Sequence, residues 1–340
     1  MNRRTYLQAL TALFATTALG SCSQGAMERK DEKLSDKADK AATLLPGNAS
    51  FDVPNIPEDN LNFYLVNDLG RNGYYEQKPI AELMGNLAEK IDLEFIVAAG
   101  DTHHFNGVAS TQDPLWMTNY ELVYSHPELM LDWFAINGNH EYRGNTQAVQ
   151  DYSKVSRRWI APARYYSKVF EAGENEALEI FFIDTPPLID KYRKNTEKYP
   201  DAGKQNIEEQ LKWLDKALSA SKAKWKLVVG HHPIFADTSK SDTERKDMQE
   251  RVKPILDKYG VDMYLCGHIH NFQHIKPAGS QVEYLVNSSG SLARKVNQTE
   301  GTQFCSPEAG FTLFSVNDNE LTFFLYNSKG KILYQYSLKK

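Results

Sequence analysis

Cysteine is scarce in this chain, since only three of its 340 residues are Cys. Cys22, Cys266 and Cys305 are too few to build a disulfide scaffold. The sequence leaves a Cys266–Cys305 bridge open beside the simpler interpretation, which is two unpaired buried thiols. Lys and Arg (39 residues) do not outnumber Asp and Glu (44 residues), and no basic stripe is visible. We therefore expect no nucleic-acid partner.

Long hydrophobic runs are also absent after the N-terminal 20 residues, so no segment of the mature chain is predicted to span a bilayer. The chain does contain enough hydrophobic residues, 41% of the total, to bury a large core. Its length is high for a single domain, but it suits a large α/β domain.

The first 21 residues have the layout of an export signal. A basic head, Met1-Asn2-Arg3-Arg4, precedes a mildly apolar stretch rich in Leu, Ala and Thr. The stretch ends in Leu19-Gly20-Ser21-Cys22, which resembles the lipobox of bacterial lipoproteins, in which the Cys is lipidated. The alternative is an ordinary cleaved signal with an incidental Cys, and the two arginines also suit twin-arginine export. We predict an exported bacterial lipoprotein of the cell envelope, facing the periplasm or the cell surface, with a lipid anchor on Cys22.

Three regions are predicted along the chain: a signal peptide at 1–21, a polar tether at 22–58 and one domain at 59–340. Within the domain, short apolar runs alternate with amphipathic segments, which indicates an α/β fold. After about residue 284 the pattern changes to antiparallel strands joined by polar turns. A helix is predicted at about 148–158, and the polar, Pro-bearing stretch 186–205 is predicted to be a surface loop.

Polar donor residues follow five of the predicted strands. Each group comes directly after a short apolar run, which places it at a strand end, where α/β sheets bind ligands. Seven of the nine histidines belong to these groups. Carboxylate, amide and imidazole groups suit metals such as iron, zinc and manganese, so the groups together predict a metal site, and the two oxygens of one Asp can bridge two metals. The groups are Asp68; Asp101, His103 and His104; Asn139 and His140; His231 and His232; and His268 and His270.

The order Asp-x-Gly, Gly-Asp, Gly-Asn-His, Gly-His and Gly-His-x-His resembles that of the calcineurin-like metallophosphoesterases, and within them the small tartrate-resistant purple acid phosphatases. The likeness extends from about Phe63 to the C-terminus and includes stretches outside the motifs, such as 152–159 and 309–311. It implies an α/β fold of two packed mixed β-sheets flanked by helices. It also implies a hydrolase that cleaves phosphate monoesters with a metal-bound hydroxide. Two metal ions per chain are expected, iron together with zinc, manganese or a second iron.

The resemblance also assigns roles by position. Asp101 would bridge the two metals, and His140 would be a catalytic residue that contacts the phosphate or protonates the leaving oxygen. The alternative for His140 is a hydrogen-bonded orienting role. The implied ligands are Asp68, Asp101 and His270 for the first metal, and Asp101, Asn139, His231 and His268 for the second.

His104 departs from the family pattern, which has Tyr three residues after the bridging Asp. We hypothesise that His104 is a metal ligand; the alternative is that His103 or His104 only packs nearby or binds phosphate. A neutral imidazole in place of a phenolate removes one negative charge from the first metal. Divalent metals would then be favoured over ferric iron, and the purple colour would be absent.

Lys240 is a second departure, because small purple phosphatases have a substrate-contacting His at this position. We predict that Lys240 contacts the substrate phosphate, with a solvated surface Lys as the alternative. His232 is predicted to face the substrate, with a supporting role behind the ligands as the alternative. Asp184 is expected to be structural. The segment 188–204 corresponds to a loop over the active site in relatives and is predicted to be mobile.

Two other functions are consistent with the sequence. The first is a phosphodiesterase or nucleotide hydrolase of the same superfamily, because the pocket walls lie in loops that the sequence does not define. The second is a surface binding lipoprotein that has lost catalysis, although every donor position holds a competent ligand type. We expect a phosphorylated small molecule or another phosphoester as substrate, and a monomeric protein.

Overall fold

The computed structural model describes residues 50–172 and 175–340. The predicted signal peptide, Cys22 and nearly all of the predicted tether lie outside these residues. The compact unit spans Asp52–Lys340, so residues 52–58 belong to the domain. Asp52 attaches this stretch: its backbone N–H donates to the carbonyl oxygen of Gly330 (2.8 Å), and its carboxylate accepts from Lys331 Nζ (3.0 Å).

The first of two mixed sheets is formed by both ends of the domain. Its strands are β1 (Leu61–Val66), β2 (Leu93–Ala98), β3 (Asp132–Ala135), β4 (Trp159–Ile160), β12 (Gly310–Val316), β13 (Glu320–Asn327) and β14 (Ile332–Lys339). The strand order is β14-β13-β12-β1-β2-β3-β4. The first four strands run parallel to one another, whereas β12, β13 and β14 pair in antiparallel fashion.

The second mixed sheet is formed by the middle of the chain. Its strands are β5 (Tyr166–Ala172), β6 (Asn175–Phe182), β7 (Trp225–Val229), β8 (Met263–Cys266), β9 (Phe272–Ile275), β10 (Glu283–Val286) and β11 (Thr302–Ser306). The strand order is β11-β9-β10-β8-β7-β6-β5. The central strands β6, β7, β8 and β10 are parallel.

Two hydrophobic cores follow from the alternation of side chains along these strands. Between the sheets, Phe63 stacks on Phe95 and Phe314 with ring centroids 4.8 and 4.7 Å apart. In β6 and just after it, Ile180 and Phe182 face this inter-sheet core, while Phe181 and Ile183 face the helices outside the second sheet. A strand that is buried on both faces in this way appears in sequence as a continuous apolar run.

Helices cover the outer faces of the sheets, which confirms the predicted fold of two packed mixed sheets flanked by helices. The N-terminus of the helix at 207–220 is capped by Asn206, whose side-chain oxygen accepts from Glu209 N at 3.1 Å. The helices are α1 (Gln77–Ala88), α2 (Thr146–Asp151), α3 (Asp190–Lys194), α4 (Ile207–Ala220), α5 (Asp242–Arg251) and α6 (Lys253–Lys258).

Two local predictions were wrong. The α-helix expected at about 148–158 ends at Asp151 and is followed by one 3-10 turn, Tyr152–Lys154. The chain then reaches β4, where Trp159 pairs with Trp133. The stretch 186–205 is not a surface loop, because it contains α3 and buries Leu188 and Tyr192 in the core beside α4 and α5. Its charged residues lie on the outside of a packed segment, and composition alone does not distinguish that arrangement from a solvated loop.

Two simpler expectations concern membranes and thiols. Within the part of the chain that the structure describes, no helix is both long and apolar enough to cross a membrane. Cys266 is a buried free thiol and Cys305 is a partly buried one, so the two do not form a bridge.

Candidate metal centre

Five turns bring the predicted donors together. Three of the turns follow the parallel strands β1, β2 and β3, and two follow the parallel strands β7 and β8. Carboxyl ends of parallel strands are where α/β sheets bind ligands. Donor atoms within 4.8 Å of one another form overlapping groups, namely Asp68, His104 and His270; Asp68, Asp101 and His231; Asp101, His104 and His140; and His231, His232 and His268.

Strained backbone marks these turns. Asp68, Asp101, His268 and His270 have φ angles of 52°, 53°, 70° and 65°. A left-handed conformation costs about 1–3 kcal/mol at a non-glycine residue and persists only where the surroundings hold it. Close packing holds it here, because a Cβ added to Gly138 would lie 2.2 Å from Asp101 Oδ1. Four strained residues in one cluster favour a functional reason for the arrangement.

Glu141 supports the turn that carries Asp101, a role that sequence reasoning missed. Its Oε2 accepts from the backbone N–H groups of Asp101 (2.9 Å) and Gly138 (2.7 Å), and its Oε1 accepts from that of His103 (3.0 Å). Burial, together with the nearby Asp101 charge, raises the pKa of Glu141 to about 7. A carboxylate directly after the Asn-His pair was the available signal.

Asp68, His270 and His104 form one side of the site. Nε2 of His270 lies 2.9 Å from Asp68 Oδ1, and Nε2 of His104 lies 3.9 Å from the same oxygen. Burial opposes ionisation of Asp68, but the nearby charge of His270 holds the pKa of Asp68 well below the usual range. Burial also lowers the pKa of His104, which leaves the imidazole neutral and able to bind a metal. The structure brings His104 to the predicted position, and its role as a ligand stays a prediction.

His103 points away from this centre. Its Nδ1 lies 3.3 Å from Asn119 Nδ2, and its ring packs edge-on against Trp116 with centroids 4.3 Å apart. Between the two adjacent histidines, the geometry therefore favours His104 as the donor.

Asp101 lies at the centre of the donor set. Its Oδ2 is 3.1 Å from His231 Nε2, 3.7 Å from His104 Nε2 and 3.8 Å from His140 Nε2. Burial opposes its ionisation, but the charges of His231 and His140 hold the pKa of Asp101 well below its usual range. His231 Nδ1 lies 2.8 Å from the carbonyl oxygen of Ala99 and therefore carries a proton, so Nε2 is the nitrogen that faces Asp101. Against the effect of burial, the Asp101 charge raises the pKa of His231 to about 9, so a metal at Nε2 would have to displace a proton.

His268 lies at the opposite side, where its Nε2 is 3.0 Å from Glu244 Oε2. Lys240 Nζ lies 2.9 Å from the carbonyl oxygen of His268 and 2.8 Å from Nε2. Nε2 has a single in-plane position and cannot donate to Glu244 while accepting from Lys240. We infer that His268 Nε2 carries a proton and donates it in a hydrogen bond to Glu244, because Lys240 Nζ can donate to the carbonyl oxygen of His268 instead. Nδ1 of His268 is then the nitrogen available to a metal, supported by a carboxylate behind the ring.

Lys240 is therefore held against His268 and is not the solvated surface lysine of the alternative interpretation. Burial lowers its pKa to about 8 despite the charge of Glu244. Its predicted contact with substrate phosphate stays a prediction.

His232 is fully buried behind the donors rather than at the substrate. Its Nδ1 lies 2.8 Å from Thr185 Oγ1, and its Nε2 lies 3.0 Å from the Tyr192 hydroxyl. Because both ring nitrogens are engaged, this arrangement does not support the predicted substrate contact and matches the supporting role instead.

Asp184 has structural contacts, as expected: it accepts a hydrogen bond from the Tyr142 hydroxyl and lies 3.8 Å from Arg164 Nη1.

The donor set fits metal binding because several buried donor atoms have no other use. Within the described residues, several side-chain nitrogen and oxygen atoms of the donor set are buried and have no hydrogen-bond partner. Unpaired buried polar atoms are rare in native proteins, and their clustering among carboxylate, amide and imidazole groups fits a donor set for a metal. The unpaired atoms are Asp68 Oδ1, both ring nitrogens of His104, Asn139 Oδ1 and His231 Nε2.

Comparison with known families agrees with this chemistry. The calcineurin-like phosphoesterase family matches residues 61–272, more than half of the chain. Purple acid phosphatase 4 of Arabidopsis thaliana is 32% identical over 300 residues, which cover 85% of this chain and 86% of the relative. Tartrate-resistant acid phosphatase type 5 of Mus musculus is 30% identical over 305 residues, which cover 84% of this chain and 92% of the relative.

Solved structures share the fold. GAP50, the anchor in the inner membrane complex of Plasmodium, matches with a TM-score of 0.71 at 24% identity over 82% of this chain and 89% of that chain. Purple acid phosphatase PPD1 from yellow lupin seeds matches with a TM-score of 0.58 at 14% identity over 84% of this chain and 55% of that chain. The predicted kinship and the prediction of a metal-dependent phosphatase are confirmed at the level of the family. This chain belongs to the calcineurin-like phosphoesterases, and its homologues are acid phosphatases, a family of metal-dependent phosphomonoesterases.

Proposed function

We propose that this protein is a dinuclear-metal hydrolase of phosphate monoesters. The observation that carries the proposal is the convergence of unpaired donor atoms around Asp101, whose carboxylate lies within 3.8 Å of three histidines. The two sides of the site have separate donor groups with Asp101 between them, as a bridging carboxylate requires. Homology to acid phosphatases supports hydrolysis of monoesters rather than another metal-dependent reaction.

The residues divide into two donor sets. A pair of metals, when bound, acts as Lewis acids toward the phosphate and lowers the pKa of a bound water. The chain's own contribution is to hold the donors rigid and largely buried. His104 replaces the phenolate of the purple enzymes, so the first set carries two carboxylates and two imidazoles. We assign Asp68, Asp101, His104 and His270 to one ion, and Asp101, Asn139, His231 and His268 to the other.

His140 is the only donor in this cluster that is partly exposed. Its backbone N–H donates to Asp101 Oδ1 (2.8 Å), and its Nδ1 lies 2.6 Å from the carbonyl oxygen of Phe105. These contacts fix the ring, so Nε2 is the nitrogen that can exchange a proton with a substrate. We propose that it contacts the phosphate or protonates the leaving oxygen.

Activity measured with defined metals tests the proposal. Purified protein supplied with iron, zinc or manganese should hydrolyse p-nitrophenyl phosphate faster than bis-p-nitrophenyl phosphate. Faster hydrolysis of the diester would favour a phosphodiesterase instead. No turnover of either ester with any metal would exclude both and leave the binding lipoprotein.

Asp101→Asn provides the residue-specific test. The amide cannot bridge two cations as a carboxylate does, so we expect loss of activity to background and loss of metal from both sites, measured by elemental analysis. Asp132→Asn is the matched control, because Asp132 is exposed at the start of β3 and away from the donors. Normal activity and two bound metals in Asp101→Asn would contradict the bridging role.

We also propose that the protein is anchored in the cell envelope through a lipid on Cys22. The support is the signal layout and the Leu-Gly-Ser-Cys sequence before the tether. Mass spectrometry of the mature N-terminus should show a diacylated or triacylated Cys22, and Cys22→Ser should release the protein from membranes. An unmodified N-terminus at another residue would contradict the anchor.

A further inference from the structure

A pocket of about 440 Å³ has His104 in its wall. Arg71, Tyr74, Tyr75 and Phe105 form other parts of the same wall. Pockets of roughly 300–1,000 Å³ are the usual size for small-molecule sites. Because His104 contacts the space between Asp68 and Asp101, this pocket adjoins the proposed metal centre.

Three aromatic side chains of the pocket wall are strongly exposed. Tyr74, Tyr75 and Phe105 keep 72%, 66% and 64% of their surface accessible. Seven large hydrophobic side chains are strongly exposed in the described part of the chain, and three of them lie at this one pocket. Scattered exposed apolar residues need no explanation, but a cluster beside a polar site indicates a binding surface.

Arg71 adds a cation to the same pocket. It is only 8% exposed, yet it forms no salt bridge within the described residues, and its Nε has no hydrogen-bond partner. Its guanidinium carbon lies 4.7 Å from the centroid of the Phe105 ring. The charges of Asp68 and Asp101 act on Arg71, but neither carboxylate forms a salt bridge with it, so the guanidinium lacks a directly paired anion. A phosphate ester that reaches the metal centre would supply it.

We propose that this pocket binds the leaving group of the substrate and selects phosphate monoesters whose leaving group carries a planar aromatic ring. The ring stacks against Tyr74 and Phe105, with Tyr75 beside them, and Arg71 receives an anionic oxygen of the ester. The inference rests on the proposed function, because it names the class of ester that the same centre hydrolyses. Aromatic stacking supplies affinity that an aliphatic leaving group of equal charge cannot obtain.

Binding and turnover are measured separately to test the pocket. Calorimetry on the metal-loaded protein compares phenylphosphonate with methylphosphonate, which are not hydrolysed. Kinetics compares phenyl phosphate and adenosine 5′-monophosphate with glycerol 2-phosphate. We expect tighter binding of phenylphosphonate and a higher kcat/KM for the ring-bearing esters. Preference for phenyl phosphate alone identifies a single aryl ring, and equal or greater preference for the nucleotide identifies a nucleoside.

Tyr74→Ala and Phe105→Leu should each lower the preference for ring-bearing ligands by roughly 2- to 12-fold, the range that corresponds to one aromatic contact. Tyr74 is highly exposed, so its substitution leaves the fold intact. Val155→Ala is the matched control, since Val155 is 60% exposed but lies outside the pocket, and it should leave the preference unchanged.

Three outcomes separate this inference from the proposed function. Equal affinity for the two phosphonates, with hydrolysis of all esters at similar efficiency, would overturn the pocket and leave the hydrolase. An aromatic preference that survives both substitutions would also overturn this assignment. Ring-selective binding of phenylphosphonate without turnover of any ester would support the pocket and overturn the hydrolase.

Discussion

Glu244 is predicted to control the second metal through His268, although it is not itself a ligand. Glu244 is 2% exposed, and its two carboxylate oxygens have different partners. Oε2 accepts from His268 Nε2 (3.0 Å), and Oε1 accepts from Lys191 Nζ (2.5 Å) and the Tyr192 hydroxyl (2.9 Å). Burial opposes ionisation, but the hydrogen bond and charge of His268 hold the pKa of Glu244 well below its usual range.

Glu244→Gln keeps the size of the side chain but makes its two ends unequal. The amide oxygen should turn toward Lys191 and Tyr192, because a cation and a hydroxyl together outweigh one imidazole N–H. The amide NH₂ then faces His268 Nε2, which must become an acceptor. The proton moves to Nδ1, the nitrogen that we assign to the metal. Loss of such a supporting partner typically lowers metal affinity about 10- to 100-fold.

Metal titration of the apo-protein is the appropriate assay. Elemental analysis after equilibrium dialysis should show two metals in the wild type and close to one in Glu244→Gln at a metal concentration that just saturates the wild type. Activity should return at high metal concentration, because the other donors remain. Glu250→Gln is the matched control, since Glu250 is exposed on the same helix.

Unchanged affinity at both sites in Glu244→Gln would refute the reasoning about the His268 proton. Equal loss at both sites would refute it as well, because the argument concerns one side of the centre only. Thermal denaturation of the apo forms shows whether a loss of metal reflects a general loss of folding.

Three further predictions concern other residues. His104→Tyr, loaded with iron, should acquire a visible phenolate-to-ferric absorption band that the parent lacks; a colourless iron-loaded variant would contradict the ligand role of His104. Glu141→Gln should lose about 1–3 kcal/mol of stability in urea unfolding, because its NH₂ would face the N–H of His103; an unchanged free energy of unfolding would contradict this role. Burial, against the opposing charge of Arg164, raises the pKa of Asp184 from 3.8 to about 7. The folded protein therefore binds more protons than the unfolded chain between these values, and the free energy of unfolding should fall as the pH rises through that window. Asp184→Asn should flatten that slope, and an identical slope in the variant would refute it.

The donors themselves could be predicted from the sequence because they are encoded locally. Asp101 and His231 each follow a short apolar run closed by Gly, and that pattern alone indicates a buried strand with a tight turn at its end. Parallel strands place such ends at the same edge of a sheet. The departure at His104 was also visible from the sequence, since it is a change of residue type at a fixed distance from Asp101.

The supporting residues could not be predicted in this way because their partners are distant in the chain. Glu244 lies 24 positions before His268 on a separate helix, and Tyr192 lies 40 positions before His232. Nothing in the local sequence at 186–205 distinguishes a packed segment from a solvated loop. Its role emerges only when α3 packs beside α5.

The sequence by itself therefore determined the α/β class, the order of the candidate donors and their residue types, since each depends on neighbouring residues and backbone propensity. Only the tertiary structure decided which imidazole nitrogen faces the centre, that His232 lies behind it, and that Arg71 is left unpaired beside three exposed aromatic rings. Those features depend on hydrogen bonds and packing between segments far apart in the chain. Such contacts form only when both sheets and their helices are assembled.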